Sequence, residues 1–435
     1  MTRPTGHDGR RFLFLQGPHG PFFSQLARML RTAGAKTWRV GFNAGDAAFW
    51  RPRQGYIPFR DAPEAWPAHF QALIVELGIT DLVLYGDTRP IHAKAIEIAR
   101  DAGLTIHVFE EGYLRPWWIT YERDGSNGNS RLMSMSLDEM RTALGDRIDD
   151  HREAPAHWGS LRAHVFYGAL YHGLVMAGAR AYPGFRPHRR IPVRTEFRLH
   201  LRRLLLMPAH AVQRIIATRR IMRGGYPYHL VLLQLAHDAS FLDHGPFPSM
   251  EAFLDRVIAD FASGAPPHHH LVFKAHPLED GRAPLRREIS RIARLHGIGE
   301  RVHFLRGGKL APLLDPAVSA VTVNSTAGQQ ALWRGLPLKA LGRAIYSRRE
   351  LASAQPLFVF FANPQPPDGP SYRLFRAYLL ATSQVPGSFY TAKGRHQALR
   401  RVADMVLAQT APYAALCGKT APSPAFHVVG KQDGR

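Results

Sequence analysis

The chain has 435 residues, of which 45% are hydrophobic, and it contains a single cysteine, Cys417. This length predicts two or three domains, the composition excludes a disordered chain, and one cysteine excludes an internal disulfide and fits the reducing cytoplasm. The sequence contains no run of about 18 uncharged apolar residues, so we predict no transmembrane helix. The formal net charge of +22 indicates an anionic partner or substrate, or only an arginine-rich proteome.

Residues 1–159 are predicted to form an N-terminal α/β domain, because short apolar runs alternate with helical patterns. A strand at 12–16, rather than a signal peptide, begins the series, and a glycine loop and a helix at 22–32 follow it. The other elements predicted here are helices at 66–77 and 90–102 and strands ending near residues 42, 85 and 108. Alternation of this kind predicts a parallel sheet covered by helices.

Two adjacent acids, Glu110 and Glu111, follow the buried strand that contains Leu104, Ile106 and Val108. Ligands bind outside the carboxyl ends of strands in an open parallel sheet. Paired carboxylates suit proton transfer there, because their repulsion and burial raise one pKa toward neutrality. The alternative is a plain strand end with solvated acids and a turn glycine.

Residues 160–225 are predicted to form a basic helical connector. Between Arg180 and Arg223, twelve arginines accompany one acid, Glu196, and alternate with leucine and isoleucine residues. A solvated helical linker and a helix that docks on an anionic membrane face both fit this pattern. Nucleic-acid binding is not predicted, because no aromatic residues alternate with the basic run.

A second α/β series follows at 226–385, and 386–435 is predicted to be a C-terminal extension with a loose tail. Its best phosphate-binding candidate is Asn324, Ser325, Thr326 and Gly328, because these residues precede a helix whose N-terminus favours an anion. An ordinary Ser/Thr helix cap is the alternative.

Two further strand ends of this series carry polar residues. Lys274 can offset phosphate charge and His276 can donate a proton to a leaving phosphate, although His-Pro is also a common turn. Gln234 and Asp238 follow another strand, where the carboxylate can act as a nucleophile, as a base or as a helix cap. His268–His270 is not predicted to bind a metal, because consecutive residues beside a strand alternate faces.

The ordered set of motifs resembles the capsule polysaccharide biosynthesis family of the KpsS/LipB type, whose members are β-Kdo transferases. The resemblance extends from Leu15 to Tyr390, so it covers nearly the whole chain. The runs that carry it are Leu15-Gln16-Gly17-Pro18, Asn43-x-Gly45-Asp46, Tyr85-Gly86-Asp87-Thr88-Arg89-Pro90, Glu110 to Pro116, Gln234-x-x-x-Asp238, Lys274-x-His276-Pro277, Asn324-Ser325-Thr326-x-Gly328, Leu341-Gly342-x-Ala344-Ile345-Tyr346 and Gly387-Ser388-Phe389-Tyr390.

The resemblance implies an α/β protein with two Rossmann-like domains, a GT-B-like glycosyltransferase, in which the first domain faces the acceptor and the second binds the CMP-sugar. It implies transfer of Kdo from CMP-β-Kdo, a substrate and not a cofactor, to a phosphatidylglycerol-type lipid, without a metal, on the cytoplasmic face of the inner membrane. A β-donor that gives a β-product implies retention, with Asp238 as the nucleophile and Glu111 with Glu110 as the acid/base. An inverting route would make Glu111 a plain base on the acceptor.

The resemblance also assigns binding residues in each domain. Those on the donor side are Lys274, His276, Gln234, Asn324, Ser325, Thr326 and Gly328. Those in the acceptor cleft are Gln16, Gly17, Asp87, Arg89 and Arg115.

Two alternatives remain open at this point. The acid pair, His-Pro and Ser-Thr motifs also resemble those of bacterial CMP-sialic acid transferases, so the donor can be another CMP-activated sugar acid. The protein can instead be a non-catalytic scaffold that binds other capsule assembly and export proteins.

Overall fold

The computed structural model describes residues 9–146, 158–186, 193–236, 239–277, 279, 281 and 283–417. Asp238, part of the connector and the predicted tail after 417 lie outside these residues.

The first domain contains six strands and five helices before residue 146. They are β1 (Arg11–Phe14), α1 (Phe22–Thr32), β2 (Lys36–Gly41), α2 (Ala44–Ala48), β3 (Tyr56–Pro58), α3 (Trp66–Leu77), β4 (Asp81–Tyr85), α4 (Pro90–Asp101), β5 (Thr105–Glu111), β6 (Trp118–Arg123) and α5 (Leu137–Leu144). The connector then contributes two helices, α6 (Leu161–Ala177) and α7 (Val193–Arg223).

The second domain and the C-terminal segment follow the connector. Their elements are β7 (Tyr228–Leu232), α8 (Ala239–His244), α9 (Met250–Gly264), β8 (His270–Lys274), α10 (Leu285–Leu295), β9 (Val302–Leu305), α11 (Ala311–Leu314), β10 (Ser319–Thr322), α12 (Gly328–Trp333), β11 (Leu338–Ala340), α13 (Leu357–Ala362), α14 (Gly369–Thr382), β12 (Gln384–Pro386), α15 (Ala392–Leu407) and α16 (Pro412–Cys417).

The first sheet has the strand order β12-β6-β5-β4-β1-β2-β3. Strands β1 to β5 are parallel, as predicted, but β6 turns back and pairs antiparallel with β5. The return brings Gly112 close to Trp118, and the Gly112 backbone N–H donates to the Trp118 carbonyl at 2.9 Å. An added Cβ on Gly112 would lie 2.4 Å from the same oxygen. The antiparallel hairpin places the acids of β5 at a tight turn.

The second sheet has the order β11-β10-β7-β8-β9 and is parallel throughout. Its strands are buried on both faces, as expected when helices cover a parallel sheet. Two Rossmann-like units joined by a helical connector are a GT-B-like architecture, so the predicted fold class is confirmed.

The C-terminal part of the chain returns to the first domain. The boundary predicted at residue 385 falls inside β12, which pairs antiparallel with β6 in the first sheet. Helix α14 packs against α5, and α15 packs against α1. The segment after 386 therefore includes an ordered helix of the first domain, because the apolar face of α15 is buried there.

The two domains share a packed interface. Tyr113 and Leu114 of the first domain belong to the same buried cluster as Leu230 of the second. Arg343 donates to the Gly128 carbonyl at 2.9 Å, and Arg348 donates to main-chain carbonyls of the segment 132–135. Two arginines of the second domain therefore hold the loop that follows β6 by hydrogen bonds to its main chain.

Five histidines lie at the amino end of the second sheet, the end opposite its predicted ligand edge. They are His229, His268, His269, His270 and His303. His229 pairs with His269 at 3.0 Å, whereas His270 pairs with His303 at 2.8 Å. The neighbours His269 and His270 thus have different partners, consistent with alternating faces. Burial lowers the pKa of His229 to about 3 and that of His303 to about 4.

These shifts predict that acid destabilises the fold. Unfolded histidine takes up a proton at about pH 6.5, whereas the folded imidazoles stay neutral, so their contribution is present above that pH and is lost as the pH falls. We expect His229→Gln to reduce the drop in unfolding free energy between pH 7.5 and pH 5 by about 1–2 kcal/mol. Urea unfolding at both pH values measures this. The matched variant at exposed His296, His296→Gln, should leave the drop unchanged; an equal change there would contradict the assignment.

Candidate functional site

Parallel strands β1, β4 and β5 bring the predicted polar residues of the first domain to one edge of its sheet. Gln16 and Gly17 follow β1, Asp87 follows β4, and Glu110 and Glu111 end β5. This edge is where an open α/β sheet accepts a ligand. We call it the acid edge.

Glu110 is the half-buried carboxyl of the acid edge. Burial and, to a smaller extent, the charge of Glu111 raise its pKa to about 7, while Arg89 opposes the shift. One Glu110 oxygen accepts from the Glu111 backbone N–H at 3.1 Å. A carboxyl with this pKa can hold or release a proton near neutral pH, which is the property expected of a general acid/base.

Glu111 is held in a different environment. Arg115 contacts one carboxylate oxygen at 3.2 Å, and the Tyr85 hydroxyl donates to the other at 3.5 Å. Tyr390, from the segment that follows β12, is also hydrogen-bonded to Glu111. Burial raises the pKa of both tyrosines well above the ordinary value, so both keep their protons as donors. The tyrosines and Arg115 fix the orientation of this carboxylate.

Arg89 completes the acid edge as a cation. Its guanidinium lies over the Tyr85 ring at 5.5 Å, and its charge reaches Glu110. Arg89 and Arg115 therefore place positive charge beside the acid pair.

Gln16 and Asp87 lie at the same edge but bind the protein itself. The Gln16 amide donates to Asp46 at 3.2 Å, and Asp46 in turn accepts from Arg39 and from Tyr171 of α6. Asp87 accepts from the Ser126 backbone N–H at 2.8 Å and from Asn129 at 3.2 Å.

Gly17 makes room for Phe23, whose ring would lie 2.6 Å from an added Cβ. In the described structure Gln16, Gly17 and Asp87 thus position the connector and loops around the edge.

Lys274 is the cation at the carboxyl end of β8, and its side chain is only 6% exposed. Within the part of the chain that the structure describes, its ammonium has no hydrogen-bond or carboxylate partner. Burial and, to a smaller extent, the charge of Arg214 lower the pKa of Lys274 to about 8. Burying a charged group without a partner costs free energy, so this position favours the binding of an anion.

Arg214 reaches Lys274 from the connector. It projects from α7 over the loop after β9, where its Cδ lies 2.8 Å from the position of a Cβ on Gly308. Two cations therefore converge on one strand end from different elements. We call this position the cation edge of the second sheet.

Gln234 and Asn324 tie the ends of neighbouring strands β7 and β10 together. The Gln234 amide donates to the Asn324 side chain at 2.8 Å, and the Asn324 backbone N–H donates back at 3.1 Å. His276 follows β8 by two residues and is half-buried. All three lie at the cation edge, as the predicted parallel sheet requires.

Ser325 and Thr326 precede α12, which begins at Gly328. The Ser325 hydroxyl accepts from the Ala327 backbone N–H at 3.2 Å, and the Tyr346 hydroxyl donates to the Ser325 carbonyl. The helix has only six residues, so its dipole is weak. Gly328 is needed because a Cβ would lie 2.7 Å from the Tyr346 hydroxyl.

The two domains approach each other beside these residues. Asn324 and Thr326 line a small cavity together with Tyr113 and Asn127 of the first domain. In the described part of the chain, no hydrogen bond joins the acid edge to Lys274. Asp238, the predicted nucleophile, lies outside the described residues.

Comparison with known proteins agrees with the motifs at both edges. Residues 80–390 match the model of the family described as capsule polysaccharide biosynthesis protein. The chain is 31% identical over 383 residues to the capsule polysaccharide export protein KpsS of Escherichia coli, covering 88% of this chain and 97% of that protein. The chain belongs to the capsule polysaccharide biosynthesis family.

A second relative in this family is the capsule polysaccharide modification protein LipB of Neisseria meningitidis serogroup A. It is 32% identical over 389 residues, covering 87% of this chain and 91% of LipB. Among solved structures, the β-Kdo 2,7 transferase KpsC of Thermosulfurimonas dismutans aligns with 92% of this chain and 99% of its own, at 13% identity and a TM-score of 0.45.

The family match includes Glu110, Glu111, Lys274 and Ser325 but not Gln16. The acid pair and the cation edge therefore belong to the part of the chain that the family model matches, whereas Gln16 and Gly17 of the acid edge lie outside it. The match ends at Tyr390, the tyrosine that contacts Glu111.

Three contacts of this family member were not predicted as site residues. Tyr85 and Tyr390 hold Glu111, and Arg214 faces Lys274. Tyr85 and Tyr390 lie inside the motifs that carry the family resemblance. Their place in those motifs was the signal that could have identified them as site residues. Arg214 had no such signal, because it is one of twelve arginines in a basic run.

Among the described residues, no helix combines the length and the apolar character that crossing a membrane requires.

Proposed function

We propose that the protein is a glycosyltransferase that moves Kdo from CMP-β-Kdo to a phosphatidylglycerol-type lipid acceptor, starting the β-Kdo linker of a capsular polysaccharide. The observation that carries this proposal is the acid pair at the end of β5, in which burial raises the pKa of Glu110 to about 7. Sugar transfer to a hydroxyl must remove a proton, and the acid pair supplies a carboxyl that can accept it near neutral pH.

The cation edge suits the donor. Transfer releases CMP, so negative charge develops on the phosphate as the glycosidic bond breaks. Lys274 and Arg214 provide positive charge at one strand end, and Ser325 and Thr326 can donate hydrogen bonds. His276 can protonate the departing phosphate.

The acid edge suits the acceptor hydroxyl. We assign the proton to Glu110, while Glu111, fixed by Arg115 and the two tyrosines, orients the acceptor. In a retaining double displacement, Asp238 attacks the anomeric carbon as CMP leaves, and the deprotonated acceptor then displaces Asp238. An inverting enzyme needs only the base, and a Kdo adduct on Asp238 when acceptor is withheld distinguishes the two routes.

The decisive experiment incubates the purified protein with CMP-Kdo and a phosphatidylglycerol acceptor and analyses the lipid by mass spectrometry. We expect a mass increase of one Kdo unit or more, which requires both substrates. Parallel reactions with CMP-sialic acid test the alternative donor. No transfer from any CMP-activated sugar acid, with CMP binding also absent, would favour the scaffold hypothesis instead.

The Ser-Thr pair before α12 gives a separate prediction. Ser325→Ala combined with Thr326→Val should weaken CMP binding by about 1–3 kcal/mol, because the CMP phosphate loses two hydroxyl groups that donate hydrogen bonds to it. Isothermal titration calorimetry with CMP measures the change. A matched variant, Ser353→Ala combined with Thr391→Val, removes two hydroxyls away from the strand ends and should keep wild-type CMP affinity. Unchanged affinity in the Ser325 and Thr326 variant would exclude these hydroxyls from the donor site.

A further inference from the structure

Helix α7 has two opposite faces with different surroundings. At 100° per residue, Arg214, Ala217 and Ile221 share one face. Ile221 is buried and Ala217 packs against the interdomain core. Arg214 faces the cation edge. This inner face attaches the helix to the second domain.

The opposite face of α7 is apolar at its centre and exposed. Leu205, Val212 and Ile216 are 74%, 56% and 54% exposed, and their spacing of seven and four residues places them on one side of the helix, with Pro208 between the first two. They extend over about 16 Å of the helix. Exposed apolar side chains in a continuous line are unusual on a protein surface and mark an interaction site.

Arginines flank this line at both ends. The exposed residues that share its sector of the helix are Arg198 and Arg202 before it and Arg219, Arg220 and Arg223 after it. Glu196 is the only acid in the 31-residue helix. We define the outer face of α7 as these five arginines with Leu205, Val212 and Ile216.

We propose that the outer face of α7 docks on an anionic lipid bilayer, lying in the plane of the interface. The apolar line enters the boundary between headgroups and acyl chains, and the arginines contact lipid phosphates, as in amphipathic helices that bind membrane surfaces. The charge at both ends matches an extended anionic surface, which a nucleic acid also offers, but nucleic acid has no use for the apolar centre. The five arginines and the net charge of +22 match lipid phosphates in sign.

Docking this way would place the cation edge about one helix diameter, roughly 10–12 Å, from the bilayer, because Arg214 lies on the opposite face of the same helix. A lipid acceptor would then enter the cleft from the membrane to which α7 is bound. This step deepens the proposed transfer to lipid, but docking itself requires no transfer activity. A binding measurement therefore tests it independently of the reaction.

The test is co-flotation of the full chain with liposomes of phosphatidylglycerol and phosphatidylcholine, or of phosphatidylcholine alone. We expect binding to the anionic vesicles that weakens as salt rises, because surface charges are screened. Leu205→Ser, Val212→Ser and Ile216→Ser combined should reduce the bound fraction at a fixed lipid concentration by about tenfold or more. Arg202→Ser, Arg219→Ser and Arg223→Ser combined should have a similar effect at low salt.

Matched controls remove equivalent groups from other surfaces. Val75 and Leu295 are 83% and 72% exposed on α3 and α10, so Val75→Ser with Leu295→Ser should float like wild type. Arg53→Ser with Arg349→Ser should also leave binding unchanged, because both arginines are exposed elsewhere. Circular dichroism checks that each variant is folded.

A second measurement reports insertion directly. Ile216→Cys in a Cys417→Ser background carries an environment-sensitive fluorophore, whose emission should shift to the blue with anionic vesicles. Wild type that stays unbound, or that binds neutral vesicles equally, would overturn the proposal. A change of oligomeric state in the serine variants, seen by light scattering without lipid, would also overturn it and identify the face as a contact between copies.

Discussion

Replacing Glu110 by glutamine should lower the turnover number for sugar transfer by about 100- to 10,000-fold, the range for removing a general acid/base. Glutamine keeps the size of the side chain but cannot exchange a proton. Because the base must be ionised, kcat/KM in the wild type should rise as the pH passes through about 7, the pKa to which burial raises Glu110. That limb of the pH profile should disappear in Glu110→Gln, while CMP affinity stays at the wild-type value.

The chain offers a matched control for this prediction. Burial also raises the pKa of Glu122 to about 7, but its carboxylate accepts hydrogen bonds from the hydroxyl groups of Tyr113, Ser130 and Tyr413. Glu122→Gln should therefore lower stability and keep the pH limb. If Glu110→Gln retains that limb and near-normal turnover, the proton belongs to another group, with Glu111 the first to examine.

The sequence determines the local elements well where periodicity and end signals agree. The helix Trp66–Leu77 has the predicted bounds, and the strand Asp81–Tyr85 ends at the predicted residue. The strand Trp118–Arg123 was not predicted; it pairs with its neighbour β5 and with Gln384–Pro386, which lies more than 250 residues away. The helix Ala392–Leu407 was assigned to an extension, although Ala398, Val402 and Val406 recur every four residues and are buried. That spacing was sufficient to predict it.

The site was predictable to the extent that strand ends define it. Parallel strands place their carboxyl ends along one edge, so Glu110 and Lys274 could be assigned to ligand edges from chain order alone. The neighbours that tune them could not be assigned, because Tyr390 and Arg214 arrive by tertiary contact from other segments. Sequence also could not distinguish Gln16, whose amide is occupied by Asp46, from a residue that faces ligand.

Replacing Lys274 by methionine should weaken CMP binding by about 1.5–3 kcal/mol, roughly 10- to 150-fold, because the phosphate loses a charged donor. The same change should stabilise the unliganded protein, since a buried cation without a partner is replaced by an apolar chain of similar length. We expect a gain of about 2–3 kcal/mol in unfolding free energy at pH 7, from the lowering of the Lys274 pKa to about 8. Calorimetry with CMP and urea unfolding measure the two effects.

The pH dependence of CMP affinity and of stability distinguishes a charged role of Lys274 from a packing role. Lys274 is deprotonated in the folded, unliganded protein above about pH 8, so CMP affinity should fall between pH 7 and pH 9.5 in the wild type but not in Lys274→Met. Unfolded lysine keeps its proton up to about pH 10.4, so the wild type should gain stability between pH 8 and pH 10, and the variant should lack that gain. Lys36→Met, which removes an exposed lysine at the start of β2, should change neither quantity. Wild-type CMP affinity together with lower stability in Lys274→Met would mean that the ammonium supports the fold and that the donor phosphate binds elsewhere.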